Sequence, residues 1–107
     1  MTKALKQLST IPYRLPSIVK LKREDYQDEL GAATHWHGHT DDGHFVWVGY
    51  SGGCIRVDTA KSESAWNYNQ SIQLTSMVIG HPSDSFMTDN EMIDVLRNVL
   101  DFSQLKD

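Results

Sequence analysis

The chain is poor in the residues that staple small folds. Cys54 is the one cysteine in 107 residues, so there is no internal disulfide, no multi-thiolate zinc site and no CxxC redox pair. No apolar stretch approaches the ~18–20 residues that span a bilayer as a helix. Three prolines and seven glycines are too few for collagen-like or low-complexity chains. With hydrophobic residues at 39% and charged residues at 22%, the composition is that of a single globular domain spanning 1–107. A chain of this size buries roughly 60–70% of its unfolded surface, enough for a core without covalent help. P-loop, GxGxxG and GxSxG motifs are absent from the sequence, so no recognisable catalytic motif is present and the reading leans away from an enzyme.

Acid is missing from one end. Residues 1–23 hold six basic groups and no carboxylate, whereas the remainder is acidic, and the whole carries −4. This basic N-terminal arm has no interleaved aromatic pattern, and the acidic body would repel phosphate, which argues against nucleic acid. The first six residues lack the apolar core of a secretory signal, so the reading is cytoplasmic, with no membrane segment.

Ile18 to Leu21 reads as a short strand. Lys22 to Glu29, with Tyr26 and Leu30 four apart, reads as a single helical turn closed by Gly31. From Thr34 the period becomes two. Candidate strands cover 34–40, 44–50 and 54–59, joined by Asp41-Asp42-Gly43 and Ser51-Gly52-Gly53, where glycine supplies the positive φ of hairpin turns. Residues 61–65 read as a polar connection. Trp66, Tyr68, Ile72, Leu74 and Val78 share a parity that predicts a fourth strand over about 70–79, with a bulge if it begins earlier. His81-Pro82-Ser83-Asp84 ends it. Thr88-Asp89-Asn90-Glu91 is a capping box opening a helix over 88–103, whose stripe is Met92, Val95, Leu96, Val99 and Phe102. The expected fold is α+β: an antiparallel sheet of four to five strands within 34–79 and its flanks, packed on one face by the C-terminal helix.

Four of the five histidines fall within ten residues: His35, His37, His39 and His44. On a strand the first three share a face, and the turn decides which. A two-residue Asp42-Gly43 loop places them beside Val46, Val48 and Tyr50. A three-residue Asp41-Asp42-Gly43 loop, a type I turn with a Gly43 bulge, places them beside Phe45 and Trp47 and sends Trp36 to the valines. The second hairpin joins Val46, Val48, Tyr50, Ile55 and Val57 into a core face. Burying three imidazoles there would cost about 1–3 kcal/mol for each unpaired nitrogen, so the bulged turn is preferred. The other face then presents His35, His37, His39, Phe45, Trp47, Arg56 and Asp58.

Aromatic and imidazole groups clustered in this way mark a contact surface. The leading expectation is a small binding or interaction protein, a homodimer using the Trp47 face, with a protein or small-molecule ligand there and no cofactor. Coverage by the N-terminal segment is the plainer alternative. A third is a metal site or metal-dependent enzyme, with His35, His37, His39 and Asp41 on Zn²⁺ or another divalent transition metal. Thr34-His35-Trp36-His37 resembles the opening of the metallo-β-lactamase motif, but His39 and Thr40 stand where that motif has Asp and His. His37-Gly38-His39 resembles the first cupin motif, but Gly43 or His44 occupies its Glu position. Neither resemblance reaches a full ligand set, and no family is assigned.

Overall fold

The computed structural model describes residues 15–28 and 31–105. Five strands form one antiparallel sheet in sequence order: β1 (Ile18–Asp28), β2 (Gly31–Thr40), β3 (Phe45–Ser51), β4 (Cys54–Ala60) and β5 (Ser71–Val78). Two helices join it, α1 (Glu63–Asn67) between β4 and β5 and α2 (Asp89–Leu96) after β5. The class is therefore mixed α+β.

The β2–β3 turn is the three-residue form. His39 pairs with Phe45, His37 with Trp47 and Trp36 with Val48. Thr40 and His44 close the loop through Thr40 N–H donating to the His44 carbonyl at 2.9 Å. Gly43 has φ +87°, a left-handed conformation that side chains resist. Asp42 completes the turn: it accepts from the Thr40 hydroxyl and lies 2.9 Å from His44 Nδ1. Those two contacts hold its pKa down to about 2. The help this carboxylate gives the turn is thus in place above its ordinary pKa and is lost as pH falls toward 2.

The register sorts the side chains as alternation requires. Trp36, Val46, Val48, Tyr50, Ile55 and Val57 are buried in one cluster with Ile18, Met87, Met92, Leu96 and Leu100. Trp36 is 1% exposed, and its indole N–H donates to Asp89 at 2.8 Å. Arg23 lies over the same ring, 5.5 Å from its centroid, and donates to Asp89 at 3.1 Å. Asp89 thereby ties the first turn of α2 to β1 and β2. Thr34, fully buried, ties the approach to α2: its hydroxyl donates to the Ser85 carbonyl and accepts from Met87 N–H. The Thr88–Glu91 capping box is formed.

Three expectations are corrected. Lys22 to Glu29 is not a helical turn, since β1 runs to Asp28 and pairs with β2 along its length. Charge on both faces of this edge strand hides its period of two: Lys20, Lys22, Glu24 and Tyr26 share the face of His35 and His37, while Leu21, Arg23 and Asp25 oppose it. The same pairing takes Ile18 to Arg23 out of a free basic arm, and residues 1–14 of that arm lie outside the described residues. Second, α2 stops at Leu96 rather than 103. The Asp101 N–H donates to the Pro16 carbonyl and the Asp101 carbonyl accepts from Ile18 N–H, diverting the backbone into a parallel bridge with Ser17. Third, the connection over 61–65 is partly helical, and Trp66 lies in α1 rather than in an early start of the strand, which spans Ser71–Val78. Ser62 caps α1 by accepting from Ala65 N–H at 3.1 Å. Asn69 then takes a left-handed φ of 60°, and β5 carries one extra residue, Leu74, where the pairing steps from Val57–Thr75 to Asp58–Gln73.

Candidate functional site

The second face of the sheet is where β1, β2, β3 and α1 converge. Alternation on β1 places Glu24 and Tyr26 opposite His35 and Ala33. β2 contributes His35 and His37, and β3 contributes Phe45 and Trp47. Helical spacing puts Glu63, Trp66 and Asn67 of α1 on one side of its single turn and a half, and all three line a cleft with the strand residues.

The side chains around that cleft form a closed circuit. Tyr26 meets His35 at 4.7 Å between centroids, and His35 meets Trp47 at 5.0 Å. Trp47 stacks on Trp66 at 5.5 Å and 24°. Trp66 meets Phe45 at 5.4 Å, and Phe45 stacks on His37 at 6.2 Å. Glu24 closes the ring, accepting from the Tyr26 hydroxyl and lying 3.2 Å from His37 Nε2. An ionised carboxylate only accepts, so Nε2 carries the proton in that contact. The cleft is open to solvent and measures about 220 Å³. A second cavity of about 430 Å³ is lined by Trp47, Trp66, Arg56, Asn69 and Ser71.

The electrostatics follow from these contacts. Hydrogen bonds from Tyr26 and His37 hold the Glu24 carboxyl below its usual range, and the same bond to Glu24 raises the Tyr26 phenol. Burial, with a smaller push from His37, moves the His35 imidazole below its ordinary value against the pull of Glu24. It is therefore neutral at pH 7. Arg56 spans Asp58 with Nε at 3.0 Å from each carboxylate oxygen and Nη2 at 2.6 Å from Oδ2, which raises the guanidinium pKa. Its planar head lies 5.9 Å from the Trp47 centroid. Lys22 stands 3.8 Å from Glu24 but is 70% exposed.

Of the seven residues marked in the sequence, the structure gathers His35, His37, Phe45 and Trp47 at the cleft. Phe45, at 3% exposure, only borders the cleft, and Asp58, at 1%, is buried by the chain itself. Arg56 sits at the second cavity. His39 is exposed and meets only the edge of Phe45, at 5.8 Å. The metal reading is not supported by the placement of its ligands. His37 is turned to Glu24, Asp41 lies in the turn beyond Thr40, and no group of three or more His, Cys, Asp or Glu side chains among the described residues is arranged to hold an ion.

Sequence reasoning missed Glu24, Tyr26, Glu63 and Trp66. Ser62 followed by Glu63 and Ala65 is a helix start that was open to view. Trp66 shares the parity of Ile72 and Leu74, which hides its place in a helix ahead of the strand. No helix among the described residues is long and apolar enough to cross a membrane. Comparison with protein families, with curated proteins and with solved structures finds no match.

Proposed function

We propose that this protein is a small binding module whose ligand sits in the cleft between Tyr26, Trp47 and Trp66. The observation that carries this reading is the closed circuit of six rings and Glu24, with α1 supplying Trp66 as a wall. Aromatic rings in tilted and stacked contact, two of them hydrogen-bonded to Glu24, are pre-positioned, so little ordering entropy opposes a ligand. A volume of about 220 Å³ lies below the range of whole drug-sized sites and suits one head group. In this reading α2 closes the opposite face of the sheet, as the shared burial of Met92, Leu96 and the strand valines supports, and leaves the cleft face for contact.

The test is a fragment screen read by the three tryptophan indole N–H signals. Binders are expected to shift Trp47 and Trp66 and to leave Trp36 in place. A screen whose binders move only Trp36, or that yields none acting on Trp47 and Trp66, refutes the reading.

Homodimerisation is a second proposal, now favoured at a different surface. The sheet order leaves β1 and β5 as edges. β1 carries Lys20, Lys22, Arg23, Glu24, Asp25 and Asp28, whereas Ser71–Val78 contains no charge. Charge on an edge blocks strand addition, and its absence invites it. Ile72 and Val78 are 65% and 76% exposed there. Antiparallel pairing of β5 with its two-fold copy would cover them. Light scattering after gel filtration is expected to give a dimer that Val78→Lys converts to a monomer. A wild-type monomer at every concentration contradicts it.

A further inference from the structure

Resting on the ligand-cleft reading, we propose that the group bound there is a cation: the quaternary or methylated ammonium head of a small molecule. Three observations carry this. The cleft is lined by the rings of Tyr26, Trp47 and Trp66, and aromatic rings attract cations through their quadrupole. It carries two carboxylates from different elements, Glu24 on β1 and Glu63 on α1. Among the described residues, no lysine or arginine lines it. Lys22 reaches Glu24 from the solvent side, and Arg56 is committed to Asp58 on the far side of Trp47.

The remaining basic groups do not reverse this balance. His35, half-buried between Tyr26 and Trp47, is held neutral by its burial. His37 gives its Nε2 proton to Glu24. The described lining of the cleft therefore has net negative character beside aromatic rings, which fits a large, weakly hydrated cation better than a bare ammonium that must shed tightly held water. An anion would meet two carboxylates, and a neutral apolar group would leave Glu63 unused. Cavity size agrees: about 220 Å³ holds a trimethylammonium group with its first carbons and little more.

The probe is choline, set against 3,3-dimethylbutan-1-ol, its uncharged isostere of the same shape, titrated into the full chain by tryptophan fluorescence and indole N–H shifts. Choline is expected to bind saturably through Trp47 and Trp66, and the isostere about tenfold more weakly, or about 1.4 kcal/mol. Glu63→Gln, a change on the exposed side of α1, is expected to weaken choline roughly fivefold while leaving the isostere unchanged, as a lost charge–charge attraction near the surface requires. Equal binding of the two compounds overturns the cation assignment and leaves the ligand cleft standing. Choline that fails to bind, or binds Glu63→Gln equally well, also overturns it. The wider reading fails separately, when no compound of any charge acts on Trp47 and Trp66.

Discussion

Trp36→Ala is expected to cost about 3–5 kcal/mol of stability, the loss typical of truncating a fully buried large aromatic. Trp36 is 1% exposed, at the centre of the valine cluster, and its removal opens a cavity that the flat sheet beneath cannot fill. The indole also donates to Asp89, so the same change releases the first turn of α2. For a domain whose whole stability is about 5–15 kcal/mol, this is about a fifth of the total at the least. Thermal unfolding should fall by about 15 °C or more. Trp36→Phe separates the two contributions: it keeps most of the packing and loses the bond to Asp89, at about 1–2 kcal/mol. If Trp36→Ala unfolds in urea within about 1 kcal/mol of wild type, a value usual for surface changes, the ring is not in the core.

Gly38→Ala is expected to destabilise by about 3 kcal/mol, at the upper end for overpacking. A methyl group on Gly38 would collide with the Lys20 carbonyl oxygen, and would stand 2.7 Å from its carbon and 3.0 Å from Leu21 Cα. These are backbone atoms of β1, which cannot turn aside as a side chain can. β1 must lift from β2, and it carries Glu24 and Tyr26, one wall of the cleft. Urea unfolding measures the loss. Hydrogen exchange is expected to accelerate in β1 before β3 and β4. A Gly38→Ala protein with wild-type stability and protected β1 amides would show that the two strands are not in this register.

Gly49 has a related role on the other face. Its missing side chain leaves room for the Trp47 indole, which lies across it, and this is how a ring of that size reclines along the sheet rather than standing into solvent. His35 pairs with Gly49 across the β2–β3 ladder, so the same vacancy lets the imidazole reach the indole.

What could be read from the chain follows from where single forces act alone. The β2–β3 register was legible because one residue of slip would have exchanged Trp36 for three imidazoles in the core, and the cost of buried unpaired nitrogens decided it. The capping box at Thr88 was legible because its bonds are local. β1 was not, because its charges on both faces erase the alternation and only pairing with β2 makes it a strand. The end of α2 at Leu96 was not, because the competing bonds of Asp101 come from Pro16 and Ile18, far away in sequence. Half of the cleft was hidden for the same reason: Glu24 and Tyr26 reach it by long-range pairing, and Trp66 by a one-and-a-half-turn helix whose parity imitates a strand. His35 and His37 stand beside Trp47 as the register reading expects, and among the described residues α1 lies over part of that face; residues 1–14, the other expected cover, lie outside the described residues.

The central claim is that Trp47 lies among imidazoles and under Trp66, on the side of the sheet away from Trp36. Through-space proton contacts between assigned indole rings test it directly. Trp47 ring protons are expected to contact the rings of Trp66 and His35, and Trp36 ring protons to contact Val48 and the first turn of α2. Contacts from Trp47 to the methyl groups of Val48, Val57 or Leu96, with Trp36 open to solvent, would contradict it.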